Sequence, residues 1–195
     1  MKNFIEQMGI TGHLQIAKSY SDGSEDIIFD DHNIIVSGMG VGLSYMFTAS
    51  GSLSVLDYQI DRFQVGVSGG SELEVSSTAA LSGALTSISE YGTNSNLFLE
   101  QTTQIVNGID QSNKIFALIP QSKITRINDN SVRYTLVLDE DACNNLVNPL
   151  NEVGLFMKNP TGSPINKSIL VAYRSFTDLA KTDDFSLIFR WTINF

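Results

Sequence analysis

The C-terminal stretch FSLIFRWTINF, Phe185–Phe195, decides the fold class. Apolar side chains recur at every second position, and polar side chains lie mainly between them, with Ile188 as the exception. A period of two residues is typical of a β-strand that buries one face and exposes the other. The stretch therefore predicts a half-buried strand in an antiparallel sheet.

Short apolar or alternating segments separated by turn residues continue toward the N-terminus. Ser21-Asp22-Gly23-Ser24 indicates the turn of a hairpin, and Asn128-Asp129-Asn130-Ser131 indicates a second turn. A short helix is predicted from about Gly38, after Ser37, and a weaker helical run covers residues 79–85. The predicted strands, besides the C-terminal one, are residues 12–20, 27–29, 63–67, 115–119, 123–127, 132–138, 152–157 and 169–176.

These elements predict a mainly β protein, an antiparallel two-sheet β-sandwich with one or two short helices. The 195 residues suit a single β-rich domain over residues 1–195. Residues 71–112 are rich in Ser, Thr, Asn and Gly, so we predict a polar, loop-rich excursion from the sandwich there. Such loops on a rigid scaffold often carry recognition.

The net charge of −9 argues against nucleic-acid binding, because an acidic chain repels phosphate backbones. It also argues against docking on anionic lipid. The sequence contains neither the apolar run of a membrane span nor, at its start, the apolar core of a secretory signal. We therefore expect a soluble chain made in a cytoplasm, with no nucleic acid and no membrane as partner.

The motifs that could carry catalysis or metal binding are incomplete. Residues 66–70 match G-x-S-x-G, but the histidines, His13 and His32, precede that serine, whereas a hydrolase triad needs its histidine later. The acidic clusters at residues 30–32 and 139–141 lack the spacing of a calcium loop. The one cysteine, Cys143, is interpreted as a packing residue. We predict no catalytic residue, no metal and no cofactor.

The C-terminal third contains a series of motifs: Asn151–Phe156 (NEVGLF), Ile169–Phe176 (ILVAYRSF), the lysine segment at Lys181 and the closing strand Leu187–Phe195. Two weaker pieces at residues 33–38 and 65–70 precede them. In content and order this series resembles a recurrent module of tailed-bacteriophage structural proteins. The resemblance implies a non-enzymatic virion protein of the neck, baseplate or fibre attachment, assembled in the host cytoplasm. Its expected partners are other virion proteins and further copies of itself.

The motif residues also have a physical interpretation. Glu152 lies on an otherwise apolar strand, so we expect it to pair with Arg174 or Arg190 across a sheet and fix the register. Gly154 indicates a bulge or a close backbone approach. The large side chains of this region are interpreted as core residues, with an interface as the minority role. They are Leu155, Phe156, Phe176, Phe189 and Trp191.

Two other function classes remain open from the sequence. A carbohydrate-binding module for host-surface glycans would stack exposed aromatics, such as Tyr91, Phe98 or Tyr58, on sugar rings. Tyr91 and Phe98 lie in the polar excursion and are also the candidate interface residues. A wall-degrading or depolymerising hydrolase is the third class, and the missing triad order speaks against it.

Overall fold

The chain folds into two antiparallel β-sheets packed face to face, as seen in a computed structural model. The structure describes residues 9–49, 53–68, 81, 83–101, 105–106, 109–110, 115–159 and 167–195. The strands of this part are β1 (Thr11–Ser19), β2 (Glu25–Ile35), β3 (Ile60–Gly66), β4 (Phe98–Gln101), β5 (Ile105–Val106), β6 (Ile109–Asp110), β7 (Ile115–Leu118), β8 (Ile124–Asn128), β9 (Ser131–Leu138), β10 (Leu150–Asn159), β11 (Lys167–Leu179) and β12 (Ser186–Asn194).

Sheet A has the order β2-β1-β12-β9-β8, and sheet B has the order β4-β7-β3-β10-β11-β2. Strand β2 belongs to both sheets. Most of it pairs with β1, while its last residues, Ile34 and Ile35, lie opposite Tyr173 and Ala172 of β11. A strand that passes from one sheet to the other closes one side of a sandwich. Strands β5 and β6 form a separate two-stranded ribbon.

The predicted fold class is confirmed, and each of the nine predicted strands overlaps a strand of the structure. The excursion at residues 71–112 holds more regular structure than expected, because β4, β5, β6 and the short helix α2 (Ile88–Tyr91) lie within it. Leu81 and residues 83–85 are not helical, which corrects the predicted helical run where it falls on described residues. They lie beside the end of β3 instead, and Gly66 and Ala84 form an isolated antiparallel bridge there.

The main core lies between the sheets. Trp191 of β12 is fully buried, stands opposite Leu14 and Tyr134 of its neighbours, and contacts Phe63 of sheet B with ring centroids 6.0 Å apart. Along β12, buried and half-buried residues alternate from Ser186 to Asn194. Alternation of this kind places one face against the core and the other toward water.

The central strands of sheet B are buried on both faces. All seven residues of β3 and most residues of β10 are buried. A second apolar cluster covers the face of sheet B that points away from sheet A, which we call the outer face of sheet B. Its buried members are Val36, Leu81, Ala84, Phe116, Phe156, Leu170 and Tyr173.

Two helical segments pack at one end of the sandwich. Helix α1 (Gly38–Phe47) begins after Ser37 as predicted, although the Ser37 side chain makes no cap hydrogen bond. Gly42 of α1 lies so close to Met157 that a Cβ atom there would come 2.4 Å from the Met157 sulfur. A short 3₁₀ helix, Val55–Tyr58, follows, and Tyr58 stacks on Tyr45 of α1 with ring centroids 6.0 Å apart.

Candidate functional site

Glu152 of β10 lies on the outer face of sheet B, between Gly66 of β3 and Ser175 of β11. Its side chain is 0 % exposed. The backbone N–H of Gly83 donates to Oε1 over 3.1 Å, and the Tyr173 hydroxyl donates to Oε2 over 3.4 Å. A buried carboxylate needs such donors, because burial without hydrogen bonds is costly. Glu152 therefore ties the chain at residue 83 to strands β10 and β11.

The predicted pairing of Glu152 with Arg174 or Arg190 is wrong. Glu152 stands opposite Ser175, and Arg174 stands one position away, opposite Val153, so the two side chains leave opposite faces of the sheet. Arg174 instead contacts Asp31 at 2.5 Å and lies over the Phe29 ring. Arg190 belongs to sheet A, where it pairs with Glu25 at 2.7 Å.

Two glycines allow Leu81 and Gly83 to lie close against sheet B. A Cβ atom on Gly154 would come 2.8 Å from Leu170 Cδ1 and 3.1 Å from Leu81 Cδ2. A Cβ atom on Gly66 would come 2.7 Å from the Gly83 carbonyl oxygen. Gly154 is thus closely packed, but by side chains rather than by a neighbouring backbone as predicted. A register shift between β10 and β11, of the kind a bulge makes, lies next to it, between Leu155 and Phe156. Gly66 has the same function, which gives the first glycine of the G-x-S-x-G match a packing reason; Gly69 and Gly70 lie outside the described residues.

Tyr173 completes this buried polar group. Burial raises the pKa of Tyr173 to about 12, and the neighbouring Glu152 charge and hydrogen bond act in the same direction. The hydroxyl therefore stays protonated at neutral pH and can donate to Glu152. Beside it, Gln64 of β3 is fully buried and accepts a 3.2 Å hydrogen bond from the backbone N–H of Leu81. These groups hold a chain segment in place, and the fully buried Glu152 carboxylate has no contact with solvent.

A network of charged side chains surrounds Asp61 and Arg62 of β3, and the sequence did not predict it. Arg62 is buried, with its Nε 2.8 Å from Asp61 and its Nη1 3.0 Å from Glu100 of the edge strand β4. Lys158 of β10 contacts Asp61 at 2.9 Å. The network joins β3, β4 and β10. The one local sequence signal for this network is the adjacent pair of opposite charges, Asp61-Arg62, within an apolar segment. The partner Glu100 lies 38 positions from Arg62, so the sequence did not indicate it.

The large side chains of the family motif are core residues. Leu155 lies between the sheets with Trp191, and Phe156 lies in the outer cluster against the Phe116 ring at 5.1 Å. Phe189 is fully buried as well, and Phe176 is partly buried against its ring. The core interpretation of this set is confirmed.

The predicted surface aromatics divide into buried and exposed. Tyr91 is fully buried, and its hydroxyl donates to the Ile115 carbonyl over 3.3 Å, so its expected role in an interface or in sugar stacking is wrong. Tyr58 is buried too. Phe98 is 65 % exposed on the edge strand β4 and keeps its candidate interface role. Of the three aromatics named for sugar stacking, Phe98 is therefore the exposed one.

The acidic clusters form contacts with protein groups. Asp30 pairs with His13 at 2.6 Å, and Asp139 accepts a 2.7 Å hydrogen bond from the backbone N–H of Asn96. Within the described residues, no group of three or more His, Cys, Asp or Glu side chains is placed to hold a metal ion. Cys143 is fully buried, and burial raises the pKa of its thiol to about 12, which suits the predicted packing role.

Exposed apolar side chains occur on the strands that border the sheets. Strands β4 and β8 end the strand order. Strand β2 has, along residues 25–33, a paired neighbour on one side only, as far as the structure describes the chain. Large exposed apolar residues on these three strands are Ile27, Ile28, Phe98 and Ile127. Unpaired strand edges with apolar side chains are sites where another chain can add.

Comparisons of the chain with protein-family models, with curated proteins and with solved structures found no match. In the part of the chain that the structure describes, no helix has the length and apolar character to cross a membrane.

Proposed function

We propose that the chain is a non-enzymatic structural and assembly protein of a tailed-phage virion, a neck, baseplate or fibre-attachment component that acts through protein–protein contacts. The resemblance that suggests this role covers three consecutive strands, β10, β11 and β12. Its glutamate and glycine, Glu152 and Gly154, support the rigidity of the sandwich, because they hold a covering segment against sheet B. A rigid scaffold is what a particle component needs for repeated contacts.

The observation that carries the proposal is the exposure of large apolar side chains along the sheet borders. Phe98 on β4 and Ile127 on β8 stand on the two outermost strands, and Ile27 and Ile28 stand on β2. Each border combines the edge of a sheet, within the described residues, with an apolar side chain for contact. Addition of a strand from a neighbour would satisfy both at once, and the same border repeated in each copy can build a ring or trimer.

The net charge of −9 fits this role, because long-range repulsion keeps free copies apart before they reach the particle. Short-range apolar contacts then decide where a copy attaches. Neighbouring virion proteins and further copies of this chain are the proposed partners, and the virion is the proposed location.

The test is quantitative mass spectrometry of particles purified on a density gradient, from bacteria that express the gene together with the rest of its phage genome. We expect the chain to sediment with the particles, at a constant ratio to the main structural proteins across the particle band. A chain that stays with the soluble proteins at the top of the gradient would contradict the proposal. Purified chain added to finished particles is the control for adsorption.

A further inference from the structure

The sandwich is closed on one side and open on the other. Strand β2 joins the two sheets on the closed side, and the strand order ends in β4 and β8 on the open side. An open cleft of about 260 Å³ lies there between the sheets. Its apolar walls are Leu97, Phe98, Leu118, Leu136 and Val137, so both sheets contribute to it. Every residue that lines this cleft belongs to the described part of the chain.

One wall of the cleft is a length of β9 with a strand on one side only. Residues 131–134 of β9 pair with β8, whereas residues 135–138 pair with β12 alone among the described strands. Strand β8 does not extend along them, because the chain before it forms the 3₁₀ helix Gln121–Lys123 after Pro120, which has no backbone N–H. About 13 Å of sheet edge therefore borders an apolar cleft, since each residue of a strand advances about 3.3 Å.

Opposite charges lie at the two ends of this length of β9. Lys123 directly precedes Ile124, which stands opposite Tyr134, and Asp139 directly follows the last residue of β9. Both side chains line the cleft. The backbone N–H of Asn96, before β4, donates to Asp139 over 2.7 Å and holds this carboxylate at its end of the cleft. A bound segment with the reverse order of charges would match both ends.

The direction of such a segment follows from the sheet. Strand β8 runs antiparallel to β9, so a segment that continues the line of β8 runs from Asp139 toward Lys123. Its first residue then lies near the carboxylate and its last residue near the ammonium group. Because residues 135–139 number five, a segment of about five extended residues covers this length. The matching order is a basic residue, an apolar residue in the middle and an acidic residue at the end.

We propose that this cleft binds an extended segment of a neighbouring protein, with that order of residues, as an antiparallel partner of residues 135–138. The backbone of the segment completes the edge of β9, its apolar side chain fills the cleft beside Phe98 and Leu118, and the two end charges fix its direction. The inference deepens the proposed assembly role and rests on it for the source of the segment, which is a neighbour on the particle.

The experiment titrates the purified full-length chain with a synthetic peptide and follows the backbone amides by NMR. The probe is acetyl-KTLTE-amide, whose blocked ends carry no charge and whose threonines favour an extended backbone. We expect chemical-shift changes at Thr135, Val137 and Leu118, and none at Ile27 and Ile28 on the β2 border. The reversed peptide acetyl-ETLTK-amide should bind at least about fivefold more weakly, because each of its charges then meets a like charge.

Two variants test the apolar wall, and one tests the charge. Phe98→Lys should weaken binding of acetyl-KTLTE-amide at least about fivefold, because it removes an apolar wall. Ile127→Lys, on the other outermost strand, is the matched control, since Ile127 is exposed and does not line the cleft; its binding should equal that of wild type. Lys123→Glu should weaken binding of acetyl-KTLTE-amide and strengthen binding of acetyl-KTLTK-amide.

Three results would overturn the inference: no shift changes with acetyl-KTLTE-amide, shift changes centred on another border, or equal binding of this peptide and its reversed form. The titration contains no particles, so its failure leaves the virion role to the sedimentation test. A chain that is absent from particles and still binds the peptide through Phe98 and Lys123 would overturn the virion role and keep the cleft as a peptide site.

Discussion

Sheet A and sheet B differ in what covers the side that faces away from the core. Along β12 of sheet A, buried and half-buried residues alternate, and Thr192 and Arg190 make polar contacts on the outer side. On sheet B the corresponding side holds Phe156 and Glu152, both buried. Sheet B is thus covered on both sides, and part of the outer cover comes from Leu81 and Ala84. Backbone hydrogen bonds of Gly83 and Leu85 with Val67 and Val65 hold this cover in place.

This difference predicts that substitutions to alanine on the two outer faces will lower the free energy of unfolding by unequal amounts. Phe156→Ala should lower the free energy of unfolding by about 3–5 kcal/mol, because it empties a space between Phe116 and Leu170. Thr192→Ala, on the outer face of sheet A, should change it by no more than about 0.5 kcal/mol. Urea unfolding of both variants measures the two values. Equal small losses would mean that nothing covers sheet B.

The glycine that admits the outer cover of sheet B provides a finer test. Gly154→Ala should destabilise the protein by about 1–3 kcal/mol, because the added methyl group would press on Leu170, Phe156 and Leu81. Gly40→Ala in helix α1 is the matched control: an added Cβ there meets no atom within 4 Å, so a stabilisation of up to about 1 kcal/mol is expected. Thermal unfolding of the two variants would contradict the account if Gly154→Ala matched the control.

The two sheets also contain buried tyrosines that respond to alkaline pH. Burial raises the pKa of Tyr173 in sheet B and of Tyr134 in sheet A to about 12, from an ordinary value of 10.0. The folded pKa values lie above the unfolded value, so the folded state favours the protonated tyrosines. Their contribution to the free energy of unfolding is complete below pH 10 and is lost as the pH rises toward 12. Stability measured from pH 9 to 12 should therefore fall. The fall should be shallower in Tyr173→Phe than in Tyr45→Phe, where the exposed Tyr45 serves as control.

The smallest expected effect concerns the ion pair that links the two sheets at their shared border. Arg174 of β11 contacts Asp31 of β2, and both side chains are partly exposed. Arg174→Ala should cost about 0.2–1 kcal/mol at low salt, and about 1 M NaCl should remove most of that loss. Arg62→Ala breaks a buried network, so its loss should be larger and should persist in salt. Equal salt sensitivity of the two variants would contradict this assignment.

The contrast between the sheets also explains how far the sequence could predict the structure. The alternation from Phe185 to Phe195 and the turn at Ser21–Ser24 are local signals, and both predicted their elements correctly. The partners of Glu152 are not local, since Gly83 lies 69 positions away, and a side-chain period says nothing about register between such segments. Helix α2 did have a local signal, the Ser87 and Glu90 capping box, within the stretch interpreted as a loop.

Burial of Tyr91 and exposure of Phe98 show a further limit. Both are aromatics in the same polar stretch, and composition alone treats them alike. Tyr91 ends α2 and reaches the Ile115 carbonyl and the Val65 N–H in the core, whereas Phe98 opens an edge strand. The difference depends on which strand each segment joins, so only the three-dimensional structure separates them.

The most direct test of the central claim is a competition for places on the particle. Wild type and Phe98→Lys are expressed at equal levels during phage growth, and the ratio of the two chains in gradient-purified particles is measured by mass spectrometry. The charged side chain alters an exposed border residue, so the variant should fold normally. The account predicts that particles take up wild type in clear excess over Phe98→Lys. The control is Val147→Lys, which places the same charge at a 99 % exposed loop position and should be taken up equally with wild type. Equal uptake of Phe98→Lys, or absence of every form from the particles, would contradict assembly through this sheet border.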